Sequence, residues 1–311
     1  MGRLATAAVA VTCGAGGACL YLAVELGTPG ALILVYMTQL PLFIAGLWLG
    51  TGAAALAGLV GSVVLLAASD LLGAVVFVAL NAAPVLILVR QALLARQRGD
   101  GTVAWYPPGL LTAWLTALAL GGMAVALLMF GGPEGLQATL RGMVGHLLDR
   151  VAERPLPNRD QIAATLALVI PGVVAASWMI MSVANAALAQ GVLARFGASW
   201  RPSPDLAGLG LPLWLTVVLG VAIVAWLIGG TAGFLGLNTM IALTVPFCLA
   251  GLAVLHTAVR RLPNPTMALV GFYTMAGLFG WPFLVIAVLG LLEGGLGLRR
   301  RIAPDGASID G

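Results

Sequence analysis

The sequence predicts an all-α, polytopic integral membrane protein, and its hydrophobicity, its charge and its segment lengths all point to this class. Of its 311 residues, 61% are hydrophobic and only 8% are charged, whereas soluble domains have roughly 45–50% apolar and about 25% charged residues. Charges this sparse cannot solvate the surface of so long a chain, so most of that surface must face lipid. Nine apolar segments recur, each close to the roughly 20 residues that a spanning helix needs. A soluble globular fold is excluded.

Short joints of turn residues separate several of the nine apolar segments. The joints at 27–30, 50–52, 69–70 and 263–265 are rich in glycine, proline and small polar residues, which favour tight turns. We therefore expect successive helices to be antiparallel neighbours, about eight to ten helices or half-helices in all. The apolar segments cover residues 5–26, 31–48, 52–69, 71–89, 110–130, 162–189, 211–228, 234–255 and 267–292.

The chain between the fifth and sixth apolar segments has a different pattern. Over residues 135–154, apolar residues recur at helical spacing opposite a polar side. The apolar positions are Leu136, Leu140, Met143, Val144, Leu147, Leu148 and Val151, and the polar ones are Gln137, Arg141, Asp149, Arg150 and Glu153. Such a stripe predicts a helix that lies in the membrane interface. An ordinary amphipathic connector is the alternative.

Arginine positions predict the orientation in the membrane, because short cytoplasmic loops carry an excess of basic residues. The arginines expected in the cytoplasm on this rule are Arg3, Arg90, Arg96, Arg98, Arg195, Arg201, Arg260 and Arg261. Nine simple spans would put the last cluster, 299–301, outside. The ninth segment is interrupted at Gly280, Trp281 and Pro282, where proline removes a backbone donor. We expect two half-helices there, at about 267–279 and 282–293, which return the chain and keep both termini cytoplasmic.

Polar side chains inside apolar segments are costly in lipid and therefore mark candidate sites. They are Glu25, Gln39, Asn81, Asn185, Asn238 and His256. Asn81 precedes Pro84 by three residues, so it either binds a ligand or pairs with carbonyls that the proline frees. Trp178, Ser182 and Asn185 share one helix face by their spacing, which predicts a cavity-lining face; hydrogen bonding between helices is the alternative. The candidate ligand-binding residues are Asn81, Trp178, Ser182 and Asn185.

Small residues recur at four-residue spacing on two apolar segments. Ala10, Gly14 and Ala18 form one stripe on the first segment. Ala54, Gly58 and Ser62 form another on the third. Small side chains allow helix backbones to approach closely. The first stripe therefore predicts either helix packing within the monomer or docking of a partner subunit.

Catalytic and metal-binding patterns do not occur in the sequence. There is no HExxH, no G-x-S-x-G and no phosphate-binding loop. Cys13, Cys19 and Cys248 have neither CxxC spacing nor a nearby histidine. The basic residues are dispersed between apolar runs rather than grouped in a phosphate-binding stripe. We expect a non-enzymatic protein with no cofactor, no metal and no nucleic-acid partner.

Several local motifs together resemble a known family. They are Leu40-Pro41-Leu42 with Gly50, Ala83-Pro84 with Arg90, Trp105-Tyr106-Pro107-Pro108-Gly109, Pro171-Gly172 with Trp178 and Asn185, Arg201-Pro202 with Leu211-Pro212, Gly251-Leu252-Ala253-Val254-Leu255-His256, and Leu291-Leu292-Glu293 with Arg299-Arg300-Arg301. On these motifs the chain resembles the YybS-like family of bacterial multi-pass membrane proteins (domain of unknown function 2232), nearly end to end. That family is distantly similar to the S components of energy-coupling-factor transporters, which are six-helix proteins that capture vitamins or metal ions.

The resemblance implies an organisation and a function. Residues 1–195 would form a six-helix core like that of an S component, and 196–311 a C-terminal helical extension of the same domain. The protein would lie in the bacterial inner membrane and bind a small solute as part of a transport system, with the lipid bilayer and another membrane subunit as partners. The alternative is a scaffold or assembly protein that recruits another membrane protein.

Overall fold

A computed structural model describes residues 2–151, 157–204 and 209–302, which are almost entirely helical. The α-helices in this part of the chain are α1 (Arg3–Leu22), α2 (Pro29–Tyr36), α3 (Gln39–Leu49), α4 (Thr51–Ala68), α5 (Leu71–Phe77), α6 (Ala83–Ala92), α7 (Pro108–Met129), α8 (Gly132–Val151), α9 (Arg159–Arg195), α10 (Leu213–Ile228), α11 (Gly230–Val259), α12 (Pro265–Phe279), α13 (Pro282–Leu296) and α14 (Leu298–Ile302). A 3-10 turn (Ala23–Leu26) follows α1, and a π-helical segment (Val78–Ala82) joins α5 to α6. Strands β1 (Ala95–Gln97) and β2 (Val103–Trp105) pair antiparallel.

The lengths and hydropathy of the helices confirm an all-α polytopic membrane protein. In the described part of the chain, 7 helical stretches are long and apolar enough to cross a bilayer, or up to 8 if the bent pair α12 and α13 is one span. Helix α10, with 16 residues, is about 24 Å long and shorter than a bilayer core of about 30 Å. Each of the nine predicted apolar segments is mainly helical, and the second and the last are interrupted, at 37–38 and at 280–281.

The predicted break in the last apolar segment is confirmed. Helix α12 ends at Phe279, α13 begins at Pro282, and the two helices are bent by 117°. Gly280 has φ of 71°, a left-handed conformation that glycine adopts without a steric penalty. Proline is favoured in the first helical turn, so the same three residues end one helix and start the next.

The predicted interfacial segment forms helix α8, and its last three positions, 152–154, lie outside the described residues. Leu136 and Val144 are buried, whereas Met143 and Leu147 are 64% and 59% exposed. The apolar stripe is therefore covered by protein over only part of its length.

The chain divides into two compact units. Unit 1 comprises Met1–Leu111 and Ile180–Asp205, and unit 2 comprises Thr112–Met179 and Leu206–Gly311. The division falls within helices α7 and α9.

Small residues allow close helix packing within unit 1. Ala10 and Ala18 are fully buried, and a Cβ added at Gly14 would collide with the backbone carbonyl of Ala57 on α4. A Cβ added at Gly17 would meet Leu42 of α3. In this arrangement the stripe of Ala10, Gly14 and Ala18 is occupied by packing within the monomer.

Unit 2 is built on a similar approach of helices α11 and α13. A Cβ at Gly251 would collide with the carbonyl of Ile286, and a Cβ at Gly290 with that of Phe247. Phe247 also belongs to an apolar core cluster with Leu215 of α10. The two glycines therefore fix how closely the α11 and α13 backbones approach.

Candidate functional site

The second membrane span is broken between α2 and α3, and the cause is local. Pro41 has no N–H to give to the Met37 carbonyl four residues earlier. The Leu40 N–H donates to that carbonyl instead, at 3.0 Å. The break therefore places the Tyr36 carbonyl at the end of α2, where a donor from elsewhere in the chain can reach it.

Asn185 of α9 supplies that donor. Its Nδ2 donates to the Tyr36 carbonyl at 2.6 Å and to the Met181 carbonyl at 2.8 Å, and the residue is 1% exposed. Because a carbonyl can only accept, these two bonds fix which end of the amide is nitrogen. The Oδ1 of Asn185 then has no partner.

Gln39, the first residue of α3, is likewise a buried amide whose nitrogen is bonded and whose oxygen has no partner. Its Nε2 donates to the Leu80 carbonyl at 2.9 Å, and the residue is fully buried. Leu80 lies in the π-helical segment, four residues before Pro84, which has no N–H to donate to it. The Oε1 of Gln39 has no partner. Asn81, the next residue of that segment, is also buried.

Two buried hydroxyls, those of Thr38 and Ser182, complete the set, and neither has a partner. Thr38 is the N-cap of α3; an N-cap hydroxyl normally accepts from the second or third N–H of the helix, and the third residue here is Pro41. Ser182 lies one turn before Asn185 on α9. Other helical hydroxyls donate to the carbonyl four residues earlier, among them those of Thr12, Ser62, Thr116 and Thr257.

We call Thr38, Gln39, Ser182 and Asn185 the polar cluster. Its unpartnered atoms are four oxygens, Thr38 Oγ1, Gln39 Oε1, Ser182 Oγ and Asn185 Oδ1, all in unit 1. Leaving a buried polar group unpaired costs about 1–3 kcal/mol, and more where no water reaches it. The four oxygens are therefore groups that a hydrogen-bond donor or a positive charge would satisfy.

Asn238 of α11, in unit 2, is a buried asparagine with every group paired. Its Oδ1 accepts from the Gly172 N–H at 2.7 Å, and its Nδ2 donates to the carbonyls of Leu168 and Phe234 at 2.9 and 2.8 Å. Leu168 and Gly172 are four residues apart on α9, on either side of Pro171. The amide thus joins α11 to the backbone of α9 where the proline interrupts its hydrogen bonding.

Arg201, in unit 1, is 6% exposed and is also paired. It donates from Nη1 to the Ala92 carbonyl at 3.1 Å and from Nη2 to the Tyr106 carbonyl at 2.8 Å. Its own carbonyl accepts from Nε2 of Gln190 at 2.7 Å. Burial lowers the pKa of this guanidinium. Since Ala92 ends α6, the positive charge lies at the negative end of that helix.

The other residues predicted from sequence lie outside the polar cluster. Trp178 is half-buried and belongs to unit 2, and Glu25 is exposed. His256 is half-buried, with Nδ1 2.8 Å from the Leu252 carbonyl. Among the described residues, no three His, Cys, Asp or Glu side chains are grouped so that they could hold a metal ion.

Unit 1 also has an open groove of about 350 Å³ between α4 and α5. Its lining is apolar apart from Ser62, whose hydroxyl is bonded to the Gly58 carbonyl. Such a groove suits a hydrocarbon chain and provides no polar group for a solute.

The sequence prediction included Ser182 and Asn185 but missed Thr38, and it named Gln39 only as a polar residue in a span. The signal for both was their position: a polar pair within an apolar segment, with Pro41 two residues after Gln39. Proline at that point breaks the helix and removes the N–H that the threonine would cap.

No family model, curated protein or solved structure matches the chain. The function is therefore inferred from the geometry of the polar cluster.

Proposed function

We propose that this protein is a non-enzymatic, multi-pass protein of the bacterial inner membrane that binds a small solute within the bilayer as part of a transport system. The observation that carries the proposal is the polar cluster, four buried oxygens without partners on membrane-spanning helices. The proposal accords with the resemblance to the YybS-like family and to S components.

The position of the cluster supports a binding role. Non-helical backbone at membrane depth is tolerated where protein buries it or where it lines a site, and transporters build their sites at such broken helices. The α2–α3 break and the π-helical segment before α6 both belong to candidate spans. The break supplies Thr38 and Gln39 of the cluster, and the π-helical segment supplies the Leu80 carbonyl that Gln39 bonds. A helix interface that serves packing alone would leave these oxygens paired, as they are at Asn238.

The chain path of unit 1 supports a cytoplasmic N-terminus. Contacts of Tyr21 with Phe77 and of Gly46 with Val89 are those expected if α1, α2–α3, α4 and α5–α6 alternate in direction. The start of α1 and the end of α6, with Arg3 and Arg90, then lie at one end. Arg201 bonds the last carbonyl of α6 at that same end. Glu25 and Asp70 lie at the opposite end of their helices. This is the charge asymmetry of the positive-inside rule, and the bent pair α12–α13 would return the C-terminus to the cytoplasm.

Cysteine labelling tests the orientation. In a cysteine-free background, an impermeant thiol reagent on intact cells should label Glu25→Cys and leave Arg98→Cys unlabelled until the membrane is opened. The reverse pattern would overturn the proposed orientation.

Native mass spectrometry of the purified full-length protein tests solute binding. The wild type should carry a small-molecule adduct that the Thr38→Val/Ser182→Ala variant loses. Ser62→Ala, which removes a hydroxyl bonded within its own helix, is the matched control and should keep the adduct. An adduct retained equally by all three proteins, or no adduct even in wild type at high solute load, would contradict the proposal.

A membrane scaffold that recruits another membrane protein is the second candidate function, and helix α8 favours it. Met143 and Leu147 leave an apolar surface uncovered beside charged residues. Photocrosslinking from position 143 in cells should then capture one defined protein. Capture of lipid alone would leave α8 as an interfacial helix and argue against the scaffold.

A further inference from the structure

We infer that the polar cluster binds a monovalent cation of the Na⁺ class through Thr38 Oγ1, Gln39 Oε1, Ser182 Oγ and Asn185 Oδ1. This inference deepens the proposed function and rests on it, since it assigns the chemical class of the bound solute. Thr38 and Gln39 lie at the start of α3, and Ser182 and Asn185 lie on α9. A 2.6 Å hydrogen bond from Asn185 to the Tyr36 carbonyl, two residues before Thr38, joins α9 to this part of the chain.

The unpaired atoms decide the sign of the ligand's charge. Three of the four amide N–H groups are used: both of Asn185, by the carbonyls of Tyr36 and Met181, and one of Gln39, by the carbonyl of Leu80. What is left is two amide oxygens, which only accept, two hydroxyls, each with a single proton, and one N–H of Gln39. Lone pairs outnumber protons among these groups, so they favour a cation over an anion.

The absence of carboxylates from the cluster decides the size of that charge. Calcium and magnesium sites depend on carboxylate ligands, and a doubly charged ion among neutral groups in lipid would be very costly. The acidic residues in the described part of unit 1 lie elsewhere. Glu25 is exposed, Asp70 caps the start of α5 at Gly73, and Asp100 bonds Thr102 in the hairpin. Neutral oxygens therefore favour a single positive charge.

Burial decides between a bare ion and an organic cation. Thr38 and Gln39 are 0% exposed, and Ser182 and Asn185 are 1% exposed. Side chains packed this closely suit an ion that replaces its own hydration shell with protein oxygens, as in channel and transporter sites. An alkylammonium group would need room for its carbon atoms.

The two helix ends at the α2–α3 break also favour a cation over an anion. Helix α2 ends at Tyr36, so its negative end faces the break. Helix α3 begins at Gln39, but its first turn is short of donors, because the Leu40 N–H is bonded to Met37 and Pro41 has none. The carbonyls at the end of α2 accept bonds from Met37, Thr38, Leu40 and Asn185, so the helix ends favour a cation mainly because the start of α3 offers an anion few N–H donors.

Binding of ²²Na⁺ to the detergent-purified full-length protein in choline chloride tests the inference. Wild type should show saturable binding that unlabelled Na⁺ displaces and that Ca²⁺ and choline do not. Thr38→Val/Ser182→Ala removes two of the four ligands and should raise the dissociation constant at least about tenfold, the effect of about 1.4 kcal/mol. Ser62→Ala should bind as wild type does. Ser182→Ala alone, the smallest change, repeats the test if the double variant is not monodisperse.

The outcomes separate this inference from the proposed function. If Na⁺ does not bind while the double variant still loses a co-purifying solute, the cation assignment is wrong and solute binding stands. Displacement of Na⁺ by equimolar Ca²⁺ would overturn the monovalent class, and equal Na⁺ binding by wild type and both variants would overturn the site. If wild type binds neither Na⁺ nor any solute, a buried water fills the cluster and both proposals fail.

Discussion

Asn185 in unit 1 and Asn238 in unit 2 are the same side chain in nearly the same setting, yet their hydrogen bonding differs. Each is 1% exposed, and each donates to the carbonyl four residues earlier in its own helix. Each also donates to a carbonyl of another helix, that of Tyr36 for Asn185 and that of Leu168 for Asn238. Asn238 has its oxygen paired with the Gly172 N–H, whereas the oxygen of Asn185 has no partner. Burial alone therefore does not distinguish an asparagine that serves helix packing from one that serves ligand binding. The distinction lies in whether every polar atom of the side chain has a hydrogen-bond partner.

The difference predicts opposite energetics. Removing a fully paired amide leaves its partners unsatisfied, and the protein loses stability. Removing an unpaired group relieves a penalty that the ligand-free protein carries, so stability rises while binding weakens. The predictions below test this contrast, from the largest expected effect to the smallest.

Asn238→Leu should give the largest loss of stability. It leaves the Gly172 N–H and the carbonyls of Leu168 and Phe234 without this partner, which should cost about 3 kcal/mol or more. Asn185→Leu should cost less, because it also removes an unsatisfied oxygen. Thermal unfolding of both variants in detergent without Na⁺ measures this. A greater loss for Asn185→Leu would break the comparison.

Arg201→Met should destabilise unit 1 by about 2–3 kcal/mol. The change leaves the carbonyls of Ala92 and Tyr106 without donors and removes the charge at the end of α6. Thermal unfolding in detergent without Na⁺, as for the asparagine variants, measures this loss of stability. Arg201 and the polar cluster belong to the same unit. If Arg201→Met lowers stability and Thr38→Val raises it, the opposite signs result from whether the lost group was paired and not from the unit in which it lies. Matching signs for both would count against this explanation.

Thr38→Val and Ser182→Ala should each stabilise the ligand-free protein by about 1 kcal/mol, since each removes a buried hydroxyl that has no partner. Ser62→Ala should be neutral or slightly destabilising, because that hydroxyl is bonded to Gly58. Melting temperatures in choline chloride compare the three variants. A loss of stability in both cluster variants would mean that the hydroxyls have partners in the protein.

Asp149→Asn should have the smallest effect. Asp149 and Arg159 form an exposed ion pair, and the hydrogen bond from Arg159 lowers the pKa of the Asp149 carboxyl. A lowered pKa contributes stability above the pKa of the unfolded chain and loses it as the pH falls through the pKa of the folded protein. The small difference in melting temperature between wild type and Asp149→Asn at pH 7 should therefore shrink in acid. A difference that grows in acid would contradict the sign.

Much of the fold was predictable because membrane spans follow from local composition. The apolar runs located the helices, and Gly280 with Pro282 located the bend. The polar cluster was only half predictable, because pairing depends on distant partners. Gln39 bonds a carbonyl 41 residues away, and Asn185 one that is 149 residues away. Helical spacing grouped Trp178 with Ser182, although the two residues belong to different units. Spacing along one helix does not predict which other helix packs against each of its turns.

The most direct test of the central claim compares melting temperatures of wild type and Thr38→Val/Ser182→Ala in choline chloride and in NaCl of equal ionic strength. A ligand that binds only the folded state raises its stability. Wild type should melt higher in NaCl than in choline chloride. The double variant should show little dependence on Na⁺ and should melt above wild type in choline chloride. If Na⁺ shifts both proteins equally, or if the double variant melts below wild type in choline chloride, the polar cluster is not a cation-binding site.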